Sequence, residues 1–299
     1  MSDPYSEARA GGVVDTAVGF PKSREEMYEF YEFIRKGSHD TATKDGEGTD
    51  LEFPAGYMFK NVPKWESEDM GDPLEMLFLE LQRHGITQAI VSVEDDIGQR
   101  AVRDLPDTFF ASISIDPNEG MDAVRKIDRY ANEFDLKSVG AFPSGLLPQV
   151  ALNDKMFYPI YAKCIEVDVA FCSTAGVPGP RLQFAPQEVA LIDEVCWYFP
   201  DLRFVTRHGC EPWTALAAKL LLKWPNLYYS TTAFAPKYYP KDIINFANTR
   251  GADKVMFSGY FPAGLTYDRI FQEMPDVPLR DDVWPKFLRD NAARVLKVA

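Results

Sequence analysis

The 299-residue chain predicts an α/β fold, a single-domain (β/α)8 TIM barrel. Three observations lead there. Eight short apolar runs alternate with segments of helical periodicity. Those runs are continuously apolar rather than strictly alternating, as parallel strands covered on both faces should be. The length suits one barrel of roughly 250 residues carrying an insertion. An open doubly wound sheet is the competing architecture, but no Gly-x-Gly-x-x-Gly follows an early strand and no Gly-x-x-x-x-Gly-Lys-[Ser/Thr] occurs. One domain over 1–299 follows, with an insertion over 37–69 inside it.

Taken in order, a polar arm precedes the first predicted strand, 12–20, whose small residues allow close approach to the backbone. A helix over 23–36 opens on Ser23 with Glu26 three residues on, the pattern of a capping box. The insertion is mostly polar yet holds Phe53, Tyr57, Met58, Phe59 and Trp65, which predicts a lid or an oligomer contact rather than a free linker. Helices over 72–84, 96–105, 120–134, 154–166, 186–199, 213–223 and 241–249 then alternate with strands. The strands are 86–93, 109–115, 138–142, 167–173, 202–208, 227–231 and 254–258, and a last helix covers 282–298.

Composition narrows the function classes. At 46% hydrophobic and 26% charged the chain is ordinary globular protein. A net charge of −13 leaves no basic stripe for nucleic acid or for an anionic membrane surface. No apolar run approaches the roughly 18 residues of a membrane span, and no signal-peptide pattern opens the chain, so a cytoplasmic protein is expected. Small molecules are the expected partners, and exposed aromatics on a large barrel make a homo-oligomer a further expectation. Cys164, Cys172, Cys196 and Cys210 form no Cys-x-x-Cys pair, so reduced, buried thiols are expected.

In this architecture chemistry sits at the carboxyl ends of the strands. Of three histidines, only His208 falls at such a position. His39 lies in the insertion and reads as solvated, and His84 sits at a helix C-terminus, facing the dipole. His208 is a candidate general acid or base, or a hydrogen-bond donor to substrate, against the alternative of a satisfied structural histidine. Tyr260 and Asp15 are candidate proton donors or acceptors at the mouth; a buried Tyr and a structural Asp are the competing readings. Candidate substrate-binding residues are Arg181, Glu211 and Tyr238. A guanidinium binds a carboxylate bidentately, and strand alternation favours Arg181 over Arg207, because Arg207 should point away from wherever His208 points. Glu211 either orients His208, binds substrate or faces a helix dipole. Cys210 reads as a packed thiol rather than a nucleophile.

The segments 207–213, 228–240, 254–262 and 284–295 together resemble the amidohydrolase-related branch of the amidohydrolase superfamily, which includes decarboxylases and hydrolases of small carboxylated or cyclic substrates. The resemblance spans nearly everything outside 37–69, and its most specific part is an aromatic-Pro turn after the eighth strand preceding Asp290-Asn291-Ala292-Ala293. It implies a (β/α)8 barrel with a catalytic histidine at His208. It also implies a metal site, and here the chain departs. The family's Asp-x-His-x-His is Asp15-Thr16-Ala17-Val18-Gly19, the fifth strand carries Cys172, Ser173 and Thr174 without a His, and Tyr260 stands where the eighth-strand aspartate belongs. Without three or four converging ligands a zinc-type site is not expected, and neither metal nor other cofactor is predicted. Two functions follow: a metal-independent hydrolase or carbon–carbon lyase, decarboxylase-like, using His208; or a non-catalytic descendant that binds a small molecule or partner.

Overall fold

A computed structural model describes residues 3–37, 54–59 and 62–298. The chain forms a TIM barrel. Eight strands, β1 (Val13–Asp15), β2 (Ile86–Ser92), β3 (Phe109–Ser114), β4 (Leu136–Ala141), β5 (Ala170–Thr174), β6 (Phe204–Arg207), β7 (Leu227–Ser230) and β8 (Val255–Met256), lie side by side in chain order. Each neighbouring pair is parallel, with Thr174 of β5 opposite Arg207 of β6 at the carboxyl ends.

Side-chain alternation sorts the strands' residues into two cores. Val14, Ile90, Ala170, Cys172, Val205, Tyr228 and Met256 form the barrel interior, closed from below by Ala292, Val295 and Leu296. Their neighbours in sequence, such as Val13, Val91, Val139, Phe171 and Phe204, pack outward under the helices. This parity places Arg207, two residues beyond Val205, on the inward side.

Predicted helices appear with adjusted ends. Ser23 accepts from Glu26 N–H and Glu26 reaches back to Ser23 N–H, so the capping box is formed. The segment it opens is two helices, Arg24–Phe30 and Glu32–Gly37, broken at Tyr31. Two helices lie outside the predicted set. Pro4–Ala10 is helical rather than an arm, held by Tyr5 packing edge-on to Trp284 at 5.0 Å. Tyr267–Glu273 is a helix in the stretch after β8, capped by Thr266.

The first and last strands meet through one side chain. Asp15, fully buried at the end of β1, accepts from Ser258 Oγ at 3.1 Å, Gly259 N at 3.0 Å, Tyr267 Oη at 2.9 Å and Ala17 N at 3.1 Å. Gly19 N–H then donates to Phe261 O at 2.8 Å. Burial raises the Asp15 carboxyl against the opposing pull of these hydrogen bonds, leaving it at about 6. A Cβ at Gly259 would lie 2.7 Å from Asp15 Oδ2, so only glycine lets the two strand ends come this close.

His39 and residues 38–53 lie outside the described residues. In the described part of the insertion, Ala55 is buried with Met27, Tyr31 and Ile34, and Tyr57 Oη donates to Gly179 O. No helix among the described residues is long and apolar enough to cross a membrane.

Candidate active site at the barrel mouth

A cavity of about 1250 Å³ opens over the carboxyl ends of the strands. Much of its wall is apolar, with Ile34, Met58, Phe59, Phe142 and Phe234 among the lining side chains. Tyr31, Thr174, Gln187, Arg207, His208 and Tyr260 bring polar groups to it.

His208 follows the last residue of β6 and has φ +63. Strand alternation would turn its side chain away from the interior; the left-handed backbone instead brings the ring to the cavity. Three of the cavity-lining residues that end strands β6 to β8 or follow them, His208, Ala233 and Tyr260, share this conformation, at +63, +70 and +63. Non-glycine residues adopt it only where surroundings compel it, and such strain concentrates at functional sites. Gly209, at φ +87, has Phe234 pressed against it: a Cβ there would meet the ring at 2.3 Å.

The His208 and Tyr260 rings lie edge to face, 4.8 Å between centroids. Burial and the Arg207 guanidinium push His208 down to about 3, against a hydrogen bond to the Thr232 backbone that favours its N–H. At neutral pH the ring is therefore uncharged, one nitrogen donating to backbone and the other free to accept. The Tyr260 phenol is held protonated by burial, opposed by a hydrogen bond from Tyr31 and by Arg207. Tyr31 is held protonated more strongly still.

Arg207 corrects the alternation argument. It lines the cavity together with His208, because β6 ends between them and the parity rule ends with it. Its Nη2 donates to Thr16 O at 3.2 Å, and Nη1 lies 3.7 Å from where a Cβ on Gly140 would be. The side chain thus crosses from β6 to the β1 and β4 walls.

Other candidates divide. Asp15 does not line the cavity; it is the buried clasp between β1 and β8. Arg181 stacks on Tyr57, 4.8 Å from the ring centroid, and is not among the lining residues. Glu211 and Tyr238 lie at the rim, both exposed. The Glu211 carboxylate makes no hydrogen bond to His208, while its backbone oxygen accepts from Val177. Cys210 is buried, and burial pushes its thiol up to about 12, as a packed thiol requires. His84 is a core residue stacked 5.5 Å from Phe271, and burial lowers its proton affinity.

Tyr31 and Gln187 escaped sequence reasoning. Tyr31 carried a signal: Met27, Tyr31 and Ile34 fall on one helical face, and all three are buried. Gln187 carried none. Its Oε1 accepts from Thr174 at 2.9 Å and from Ser144 N, and its Nε2 donates to Gly176 O at 2.9 Å, which holds the β5 loop against the wall.

The donor set at the mouth does not suit a metal ion. Ala17 and Gly19 offer no ligand atoms, and a guanidinium occupies the space between β6, β1 and β4. Among the described residues, one group of His, Cys, Asp or Glu converges closely enough for an ion, Glu80, His84 and Asp268. It lies outside the cavity and already holds the Arg83 guanidinium.

Comparison with known proteins places the architecture. Solved structures similar in fold include an uncharacterized TIM-barrel protein from Bordetella bronchiseptica, with 20% identity and TM-score 0.70 over 96% of this chain and 99% of that one. A second is 5-carboxyvanillate decarboxylase from Novosphingobium aromaticivorans, complexed with manganese and 4-hydroxy-3-methoxy-5-nitrobenzoic acid, with 17% identity and TM-score 0.67 over 96% and 97%. A third is 4-oxalomesaconate hydratase from Rhodopseudomonas palustris, with 15% identity and TM-score 0.61 over 96% of each chain. No curated protein sequence matches. The amidohydrolase family model matches residues 19–298, and the chain belongs to that family.

Proposed function

We propose that the protein is a metal-independent carbon–carbon lyase of decarboxylase type, acting on a small carboxylated aromatic compound with His208 as proton carrier. One observation carries the reading: a neutral histidine, in contact with a phenol, faces a largely apolar cavity at the end of β6. The structural neighbours that act on carboxylated aromatics support the substrate class.

The largely apolar wall suits the substrate ring and the neutral CO2 that leaves. An anionic substrate raises the proton affinity of the adjacent imidazole, so His208 enters the complex able to take up a proton. Cleavage of the carbon–carboxyl bond releases CO2 and leaves the electron pair on the substrate carbon. His208 takes one proton from solvent as the substrate binds, and transfer of that proton to the carbanion forms the C–H bond and returns the imidazole to neutral. Tyr260, kept protonated, donates a hydrogen bond to a substrate oxygen and itself accepts from Tyr31. Tyr57, Met58 and Phe59 line the cavity, which supports the insertion as a cover for the site.

The test is CO2 release from a panel of hydroxybenzoates in chelator-treated buffer, by wild type and His208→Asn. Turnover that survives chelation and falls at least about 100-fold in the variant is expected. Unchanged turnover in the variant removes His208 from the mechanism, and stoichiometric manganese or zinc in the purified protein refutes metal independence. Saturable binding without turnover across the panel assigns the chain to the binding alternative.

A further inference from the structure

Among the described residues the Arg207 guanidinium has no anionic partner. It sits at the inner end of the cavity, and its Nε is buried without a hydrogen-bond partner. Its polar contacts are Thr16 O, which is uncharged, and the Cys172 thiol, which burial keeps protonated. Among the described residues no carboxylate forms an ion pair with it, whereas Arg83, Arg100, Arg203 and Arg269 each have one. Asp15 lies in the same end of the barrel, but its oxygens are saturated by Ser258, Gly259, Tyr267 and Ala17. Its field reaches both neighbours at the mouth, since Arg207 lowers the proton affinity of His208 and of the Tyr260 phenolate.

Burying a charge is costly unless it is paired, and a guanidinium that lines a cavity is a ready partner for a carboxylate. We propose that Arg207 is the binding site for the substrate's carboxylate, a fixed protein cation that does the anchoring for which a metal ion would otherwise be needed. This rests on reading the cavity as a substrate site, but it concerns binding and requires no turnover. The anchored carboxylate lies beside His208, on the neighbouring residue, with the apolar wall left for the rest of the ligand. Its negative charge offsets Arg207, so the same event that seats the ligand makes His208 easier to protonate. Arg207 is distinct from the Arg181 position, whose guanidinium is stacked on Tyr57.

Calorimetric titration of benzoate and of its uncharged counterpart benzamide into the chelator-treated wild-type protein tests this without any variant. Benzoate binding at least about tenfold tighter than benzamide is expected, together with a rise in the His208 imidazole pKa by NMR when benzoate is bound. Arg207→Met should abolish the preference, and Arg207→Lys should retain part of it while losing affinity, with circular dichroism confirming that both are folded. Equal binding of benzamide, an undiminished benzoate preference in Arg207→Met, or benzoate binding that appears only after manganese is added would each overturn the proposal. Inorganic phosphate competing more tightly than benzoate would overturn the carboxylate assignment. If benzoate binds as expected but no hydroxybenzoate is turned over, the anchor stands and the lyase reading fails.

Discussion

Replacing His208 by Asn should change how stability depends on pH, and the structure sets both sign and size. Unfolded, the imidazole titrates near 6.5; in the folded protein it is pushed down to about 3 by burial and by Arg207. Between those values the unfolded chain binds the extra proton. The stabilisation is therefore complete above about pH 6.5 and is lost as pH falls towards 3, at about 1.4 kcal/mol per pH unit. At about pH 4.5 the wild type should have lost roughly 2–3 kcal/mol from this group relative to neutral pH. Asp15 works the other way. Its carboxyl, raised from 3.8 to about 6, favours the fold at low pH and loses that contribution as pH rises through about 6. Because Asp15 is present in both proteins, the comparison with His208→Asn cancels it. Urea unfolding of the two proteins from neutral to about pH 4.5 should show the wild type losing more stability than the variant, by that amount. NMR supplies a direct check, since with three histidines the signal missing in His208→Asn identifies itself. An imidazole that protonates near 6.5 in the folded state, or parallel stability curves for the two proteins, would refute the electrostatic reasoning.

Other perturbations follow from the same geometry. Gly209→Ala forces a Cβ to within 2.3 Å of the Phe234 ring at φ +87, so a loss of about 3 kcal/mol is expected on thermal melting; a variant as stable as wild type would contradict the placement of the His208 turn. Asp15→Ala leaves its four donor groups without their acceptor and should cost about 3–5 kcal/mol, while Tyr267→Phe, which removes one bond at 2.9 Å, should cost about 1–2 kcal/mol. Equal losses would mean that the clasp does not depend on its hydrogen bonds. Tyr31→Phe deletes the hydrogen bond to Tyr260, and kcat should fall roughly tenfold with KM little changed; a rise in KM at constant kcat would instead make Tyr31 a ground-state contact.

Local chemistry was legible wherever it is local. The Ser23–Glu26 capping box needed only neighbours in sequence. Seven strands were found within a few residues because each is an apolar run bounded by turns, whereas the first, expected over 12–20, is only Val13–Asp15. The helix Tyr267–Glu273 was missed because its buried positions, Tyr267, Ile270 and Phe271, are short and irregularly spaced, so only packing makes it a helix. At the site, His208 and Tyr260 could be nominated from their places after strands, since the architecture names those places. Asp15 could be nominated but not interpreted, because Ser258, Gly259 and Tyr267, which hold it, lie more than 240 residues away in sequence.

The alternation argument for Arg207 shows where sequence stops. Amino-acid order by itself determined the eight βα units, hence the barrel, and with the barrel which loops reach its mouth; only the resemblance set Ala17, Gly19 and Tyr260 against ligand positions of that family. Which side chains face one another across that mouth was decided only in three dimensions. Alternation holds while the backbone is extended, and one residue at φ +63 ends it, turning His208 to the same cavity that Arg207 enters by strand parity. A guanidinium and an imidazole adjacent in sequence thereby share one site, where burial, reinforced by the charge of the first, keeps the second unprotonated.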